Sequence, residues 1–173
     1  MEKISFSQVT GKEGLLKEIA RIFKENRMPE MEQAAVNVKD FLLLFSKENR
    51  FMTGRLKRAE EEGKLYREQP FVMGEPACNL YEGTKSQEII LIQGIIDVYF
   101  EEDGKLVLLD YKTDHVPVTT GEEELKRRYA EQLRLYAQAL KRAAGKEIKE
   151  ILIYSFYLGK YIPLVFDSTG DLC

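Results

Sequence analysis

Hydrophobic positions in the first third of the chain recur at helical intervals. Leu15, Leu16, Ile19, Ile22 and Phe23 share one stripe, and Val36 to Phe45 and Phe51 to Leu56 continue the pattern. The spacing predicts a helical N-terminal portion over residues 1–60, with stripes that pack into a core or dock on another domain. From Lys64 the period shortens to that of strands, over Leu65 to Val72, Ile89 to Glu101 and Lys105 to Lys112. A long helix is then predicted from Glu122 to about Ala144, because Leu125, Tyr129, Leu133, Tyr136, Ala137 and Leu140 form an apolar stripe away from Arg127, Arg134, Lys141 and Arg142. Strands over Glu147 to Tyr157 and Tyr161 to Phe166 end the series. That order describes a mixed α/β fold, a sheet covered by helices.

Two strands carry acids among apolar neighbours. In the first, Ile90, Ile92, Gly94, Ile96, Val98 and Phe100 are expected on one apolar face and Gln93 and Asp97 on the other. In the next, Leu106, Leu108, Asp110 and Lys112 share a face. Asp103-Gly104 suits a two-residue hairpin turn, since both positions tolerate positive φ. That turn sets Glu102 against Lys105 and, counting back, Asp97 directly opposite Asp110. Opposed like charges repel, so something positive belongs between them. Lys112 supplies part of it, and a divalent cation would supply more. A three-residue loop would send the acids to opposite faces and remove the case for a metal. Two carboxylates and a lysine at a sheet edge suit phosphodiester hydrolysis: oxygen ligands hold Mg²⁺ incompletely, and the lysine stabilises charge on phosphorus or orients the attacking water. By itself the pattern fits a salt-bridged acidic edge equally well.

Composition narrows the partners. The chain has 173 residues, 44% hydrophobic and 32% charged, the profile of one globular domain. Twenty-six basic against twenty-nine acidic residues leave a net charge of -3, so DNA binding would need a local basic face or bound metal. The most apolar run, Ile89 to Phe100, is short and interrupted by Gln93, Gly94 and Asp97, so no membrane association is expected. The first residues lack the basic and apolar regions of a secretory signal, and a cytoplasmic location is the expectation. Cys78 and Cys173 are too far apart in sequence to indicate a disulfide framework or a cysteine-bound cluster.

The ordered set Gly94-Ile95-Ile96-Asp97, Leu109-Asp110-Tyr111-Lys112-Thr113-Asp114, Tyr129 and Gln132-Leu133-x-x-Tyr136 resembles the RecB-type branch of the PD-(D/E)xK nuclease superfamily. Within it, the resemblance is nearest to the AddA-type nuclease domains at the C-termini of bacterial ATP-dependent helicase-nuclease subunits, and it covers essentially the whole chain. It implies a restriction-endonuclease-like core over residues 64–173, with the helical portion before it, as a single domain of a longer helicase-nuclease chain. It implies that Asp97 and Asp110 bind Mg²⁺, for which Mn²⁺ can substitute, and that Lys112 is the catalytic lysine. Gln132 and Tyr136 match a Q-x-x-x-Y motif beside the active site, and Glu68 matches an upstream glutamate. Read without the family, Gln132 is a helix-surface glutamine, Tyr129 and Tyr136 are core residues, and Glu68, near Pro70, is equally a surface ion pair.

The resemblance further implies a Mg²⁺-dependent deoxyribonuclease that cleaves the 3′-terminated single strand delivered by the helicase portion of the same chain, beside an AddB-like partner subunit, during recombinational repair of double-strand breaks. RecB-type nucleases also carry an upstream metal-binding histidine, and none precedes Asp97 here. The reading is therefore a fragment, weakly active or inactive alone. His115 does not match that position and is given no role. The alternative is a nuclease-fold docking module without catalysis. A stand-alone restriction enzyme or resolvase would need a DNA-reading surface, for which only the Arg127, Arg128, Arg134, Lys141 and Arg142 face of the long helix offers itself.

Overall fold

The computed structural model describes residues 3–81 and 83–166. Cys173 lies outside the described residues. Four helices come first: α1 (Gly11–Glu25), α2 (Glu30–Ala35), α3 (Val38–Leu44) and α4 (Arg50–Glu61). Strand β1 (Leu65–Pro76) and a short 3₁₀ turn lead to β2 (Ile89–Glu102) and β3 (Lys105–Lys112). Helix α5 (Gly121–Ala144) then crosses to β4 (Ile148–Ser155), and β5 (Lys160–Leu164) closes the sheet. The strands lie in sequence order, all pairs antiparallel except β3 with β4. A parallel pair needs a crossover, and α5 supplies it.

Burial follows from that placement. Strand β3 has helices over both faces, so Leu106 to Asp110 are buried without interruption. On one side Val98, Phe100, Val107 and Leu109 pack under Leu44, Met52, Leu56 and Ala59 of α3 and α4. On the other, Ile96, Leu106, Leu108 and Ile153 pack under Leu125, Leu133, Ala137 and Leu140 of α5. The residues that set α5 are visible locally: Glu122, Glu123 and Glu124 at its positive end, Lys141 and Arg142 at its negative end, and Gly145 at φ 64° to turn the chain out.

The hairpin between β2 and β3 is the two-residue one the sequence predicts, with Asp103 at φ 53°, Gly104 at φ 74° and Glu102 opposite Lys105. The single apolar face expected for β2 is not found: Ile96 packs under α5 while Val98, two residues on, packs under α4. Both strands of the β1–β2 ribbon change sides at one corner, where Glu68 and Asp97 sit between the pairs Arg67↔Val98 and Gln69↔Ile96. Glu68 takes a left-handed φ of 48° there, and on β1 Leu65 faces one core and Phe71 the other. Pro70 lies within β1, which the edge position of that strand permits. Smaller differences are at element ends: β1 runs on to Pro76, and the last two strands stop at Ser155 and Leu164 rather than Tyr157 and Phe166.

Candidate active site

The chemistry-bearing residues collect where β2 and β3 part. Their ladder ends at Val98↔Leu109, one position short of the predicted Asp97–Asp110 pair. The register is as expected, but Asp97 does not continue the ladder: its Oδ2 accepts the Tyr111 N–H at 2.9 Å. A side chain thus replaces a strand bond, and the two strand ends open around the acids.

Asp110 is 2% exposed. Lys112 Nζ lies 2.6 Å from its Oδ2, an oxygen that accepts no well-aligned hydrogen bond. Burial pushes the Asp110 carboxyl up to about 6; the Lys112 ammonium opposes this and the Asp97 charge reinforces it. The lysine alone therefore leaves the buried acid incompletely compensated. Asp97, Glu68 and Asp40 line a cleft of about 420 Å³ with Val36, Asn37, Phe41, Tyr111, Thr113 and Phe156, between the strand ends and α3.

Lys112 is held from α5. Its Nζ donates to Gln132 Oε1 at 3.2 Å, and Gln132 Nε2 donates to the Tyr136 hydroxyl at 2.9 Å. The ammonium also lies 4.0 Å from the centroid of the Tyr129 ring, close enough for a cation–π contact. The Tyr129 hydroxyl donates to Asp114 at 2.8 Å, and Asp114 pairs with Arg128 at 2.6 Å. Burial would raise the Asp114 carboxyl, but the bonds from Tyr129 and Arg128 outweigh it and hold the group below its ordinary range.

Gly94 explains how Tyr136 reaches this network. A Cβ at that position would stand 2.8 Å from the Phe71 ring and 3.1 Å from the Tyr136 ring, which pack edge to face with centroids 5.2 Å apart. Absence of a side chain on β2 thus lets two rings lie over the strand, one of them the acceptor for Gln132.

Asp97, Asp110, Lys112, Gln132 and Tyr136 are therefore gathered at one place, and Glu68 borders it across the cleft beside Asp97. Tyr129 and Asp114 join them, although sequence reasoning gave neither a task. Their spacing carried a signal: Tyr129 stands one helical turn before Gln132, and Asp114 two residues after Lys112. The basic face of α5 is largely neutralised, Arg128 by Asp114, Arg134 by Glu131, Lys141 by Glu147 and Arg142 by Glu75. His115 rests against the Tyr157 ring at 4.7 Å. Among the described residues no group of three or more histidine, cysteine, aspartate or glutamate side chains could hold a metal ion. Asp97 and Asp110 still fit Mg²⁺, which is commonly bound by one or two carboxylates with water and substrate phosphate completing its shell. The under-compensated buried oxygen of Asp110 is the structural sign of that fit. No helix among the described residues is long and apolar enough to cross a membrane.

Comparison with known proteins gives a consistent result. A family model described as the PD-(D/E)XK nuclease superfamily matches residues 5–165. The A subunit of an ATP-dependent helicase/nuclease of Lachnoclostridium phytofermentans is 35% identical over 197 residues, covering 95% of this chain and 14% of the relative. Its counterpart of the same name from Clostridium perfringens is 36% identical over 170 residues, covering 95% and 13%, and one from Clostridium botulinum is 34% identical over 165 residues, covering 94% and 13%. The chain thus spans about 13–14% of the length of these curated relatives.

Proposed function

The chain belongs to the PD-(D/E)XK nuclease superfamily, and on that premise we propose that it is the metal-dependent deoxyribonuclease domain of a larger ATP-dependent helicase/nuclease chain. The observation that carries this is the Asp97–Asp110–Lys112 set at the opened strand ends, with the lysine tethered from a second element. In this reading the domain is an exonuclease acting on the 3′-terminated strand that the helicase portion delivers, in the cytoplasm, beside an AddB-like partner, in recombinational repair of double-strand breaks.

Asp97 and Asp110 would hold Mg²⁺, or Mn²⁺ in its place. A divalent ion held by them would supply Lewis-acid chemistry, polarising a phosphate oxygen and lowering the pKa of a water. In the hydrolysis the water oxygen bonds to phosphorus, the bridging P–O bond breaks, and a proton passes to the leaving oxygen. Lys112 stabilises the charge that develops on the phosphoryl oxygens, and its ammonium is fixed before substrate arrives. Gln132 accepts one of its three N–H donors and Asp110 is ion-paired with the ammonium, so the group keeps donor capacity for a phosphoryl oxygen. Glu68 borders the cleft from β1 and meets the strand beside Asp97. The alternative of a pure docking module leaves unexplained why the lysine and its supports form a complete network.

The test is cleavage of a labelled single-stranded DNA by the chain with Mg²⁺ or Mn²⁺, beside Asp97→Ala, Asp110→Ala and Lys112→Ala. Weak metal-dependent cleavage, lowered at least about 10²-fold in all three, is expected. Cleavage at the wild-type rate in any of them would contradict the assignment.

A further inference from the structure

Lys112 faces three groups, and only two of them are oxygens. The third is the face of Tyr129, 4.0 Å from the ammonium, on the helix turn before Gln132. An aromatic face attracts a cation through its quadrupole and restricts where that cation sits. Unlike an amide oxygen, it leaves the N–H donors free to point elsewhere. What fixes the ring itself is its hydroxyl, which donates to Asp114 at 2.9 Å and 2.8 Å from the two carboxylate oxygens. Asp114 is in turn held by Arg128 at 2.6 Å, and the guanidinium of Arg128 also bonds Glu124 one turn earlier on α5. The loop that leaves β3 and the helix that returns over it are thus pinned together at a point where the pin also sets the ring under the lysine.

We propose that Tyr129, anchored by Asp114, is a positioning residue for Lys112: its ring confines the ammonium to the place where Asp110 and Gln132 meet it. Neither Tyr129 nor Asp114 bonds a reacting group; both act through the lysine. The inference rests on the nuclease reading for its consequence in catalysis, but the placement of the ammonium stands on its own geometry.

Two readouts on the full 173-residue chain test it. In the first, the lysines carry ¹³C at the ε position and their methylenes are followed by NMR, with Lys112→Arg identifying the Lys112 signal. Ring current from Tyr129 should displace that signal from the other lysines. Tyr129→Leu should return it to the common position, Tyr129→Phe should keep most of the displacement, and Asp114→Asn should reduce it. In the second, cleavage of a single-stranded DNA oligonucleotide with Mg²⁺ is resolved into kcat and KM. Tyr129→Leu is expected to lower kcat by about 2- to 30-fold with KM unchanged, the range of one cation–π contact. Tyr129→Phe should recover most of that loss, which a role confined to folding would not separate from the leucine variant at equal melting temperature.

A Lys112 signal that does not move in a folded Tyr129→Leu chain would overturn the proposal whether or not the chain cleaves DNA. A signal that moves while kcat stays at the wild-type value would overturn it too, since the ammonium's position would then be without effect. Failure of the nuclease reading looks different: Lys112→Ala would cleave normally, with the wild-type lysine signal still displaced.

Discussion

On the α5 side of the sheet the Lys112 ammonium has an ion pair at 2.6 Å, an amide oxygen at 3.2 Å and an aromatic face at 4.0 Å, the last two backed by further bonds to Tyr136 and Asp114. Toward α3, Asp97 receives one backbone N–H and borders a 420 Å³ cleft with Glu68 and Asp40, while Asp110 behind it is buried with a raised pKa. The lysine is held from three sides, whereas the buried Asp110 carboxyl stays raised despite the ammonium beside it. Fixed groups lower the reorganisation that accompanies reaction, which suits a residue meeting transient charge. A pair of acids short of positive charge suits a site completed by a cation, because its repulsion is relieved when the ion binds.

The two halves are expected to break differently. The largest effect is expected for Lys112→Ala, a loss of about 10²- to 10⁴-fold in kcat for DNA cleavage, with metal binding retained. Next comes Gly94→Ala, whose Cβ would meet the Phe71 and Tyr136 rings. Overpacking of this kind costs about 1–3 kcal/mol, read as a lower melting temperature, and slower cleavage should accompany it because Tyr136 must move away from Gln132.

The carboxylate half should respond to pH with the opposite sign from an ordinary salt bridge. Asp110 titrates at about 6 in the folded chain, against about 3.9 for an unfolded aspartate. A folded pKa above the unfolded one means that the contribution to stability is complete below about pH 4 and is lost as pH rises through 6. Without metal, Asp110→Asn is therefore expected to be more stable than the wild type at pH 7, by about 1–3 kcal/mol, and to lose that advantage at pH 4. A variant no more stable at pH 7 would show that Lys112 already compensates the acid. The smallest effect is expected for Tyr136→Phe, which removes one hydrogen-bond acceptor two steps from the ammonium. About 0.5–1.5 kcal/mol, or a 2- to 10-fold fall in kcat, is the scale, and an unchanged kcat would confine Tyr136 to packing.

Much of this arrangement was legible in the residues. Asp103-Gly104 demanded a two-residue turn, and that turn alone fixed the register that sets Asp97 near Asp110. The Q-x-x-x-Y motif of the family resemblance, not helical spacing alone, set Gln132 and Tyr136 beside the site, and the Lys112 contact follows from α5 lying over β3. The corner at Glu68 and Asp97 was not legible, because strict alternation assumes a regular ladder and nothing local marks a glutamate for φ 48°. The task of Tyr129 was hidden for another reason. A tyrosine within an apolar stripe reads as core, and only the loop after β3, which brings Asp114 to its hydroxyl, gives the ring a direction. Cations on α5 looked like a basic face by composition, yet most of them meet acids from other elements or one turn away.

The most direct test of the contrast is calorimetric titration of Mn²⁺ into the metal-free chain, with Asp97→Ala, Asp110→Ala and Tyr129→Leu titrated in parallel. Manganese prefers the same oxygen ligands and binds them more tightly than magnesium does. Saturable binding that disappears in both aspartate variants and persists in Tyr129→Leu is the predicted result: the acids converge on a cation, and the lysine's supports are independent of it. Binding that survives either aspartate substitution, or no binding to the wild-type chain, would contradict the claim that these two carboxylates form a site completed by metal.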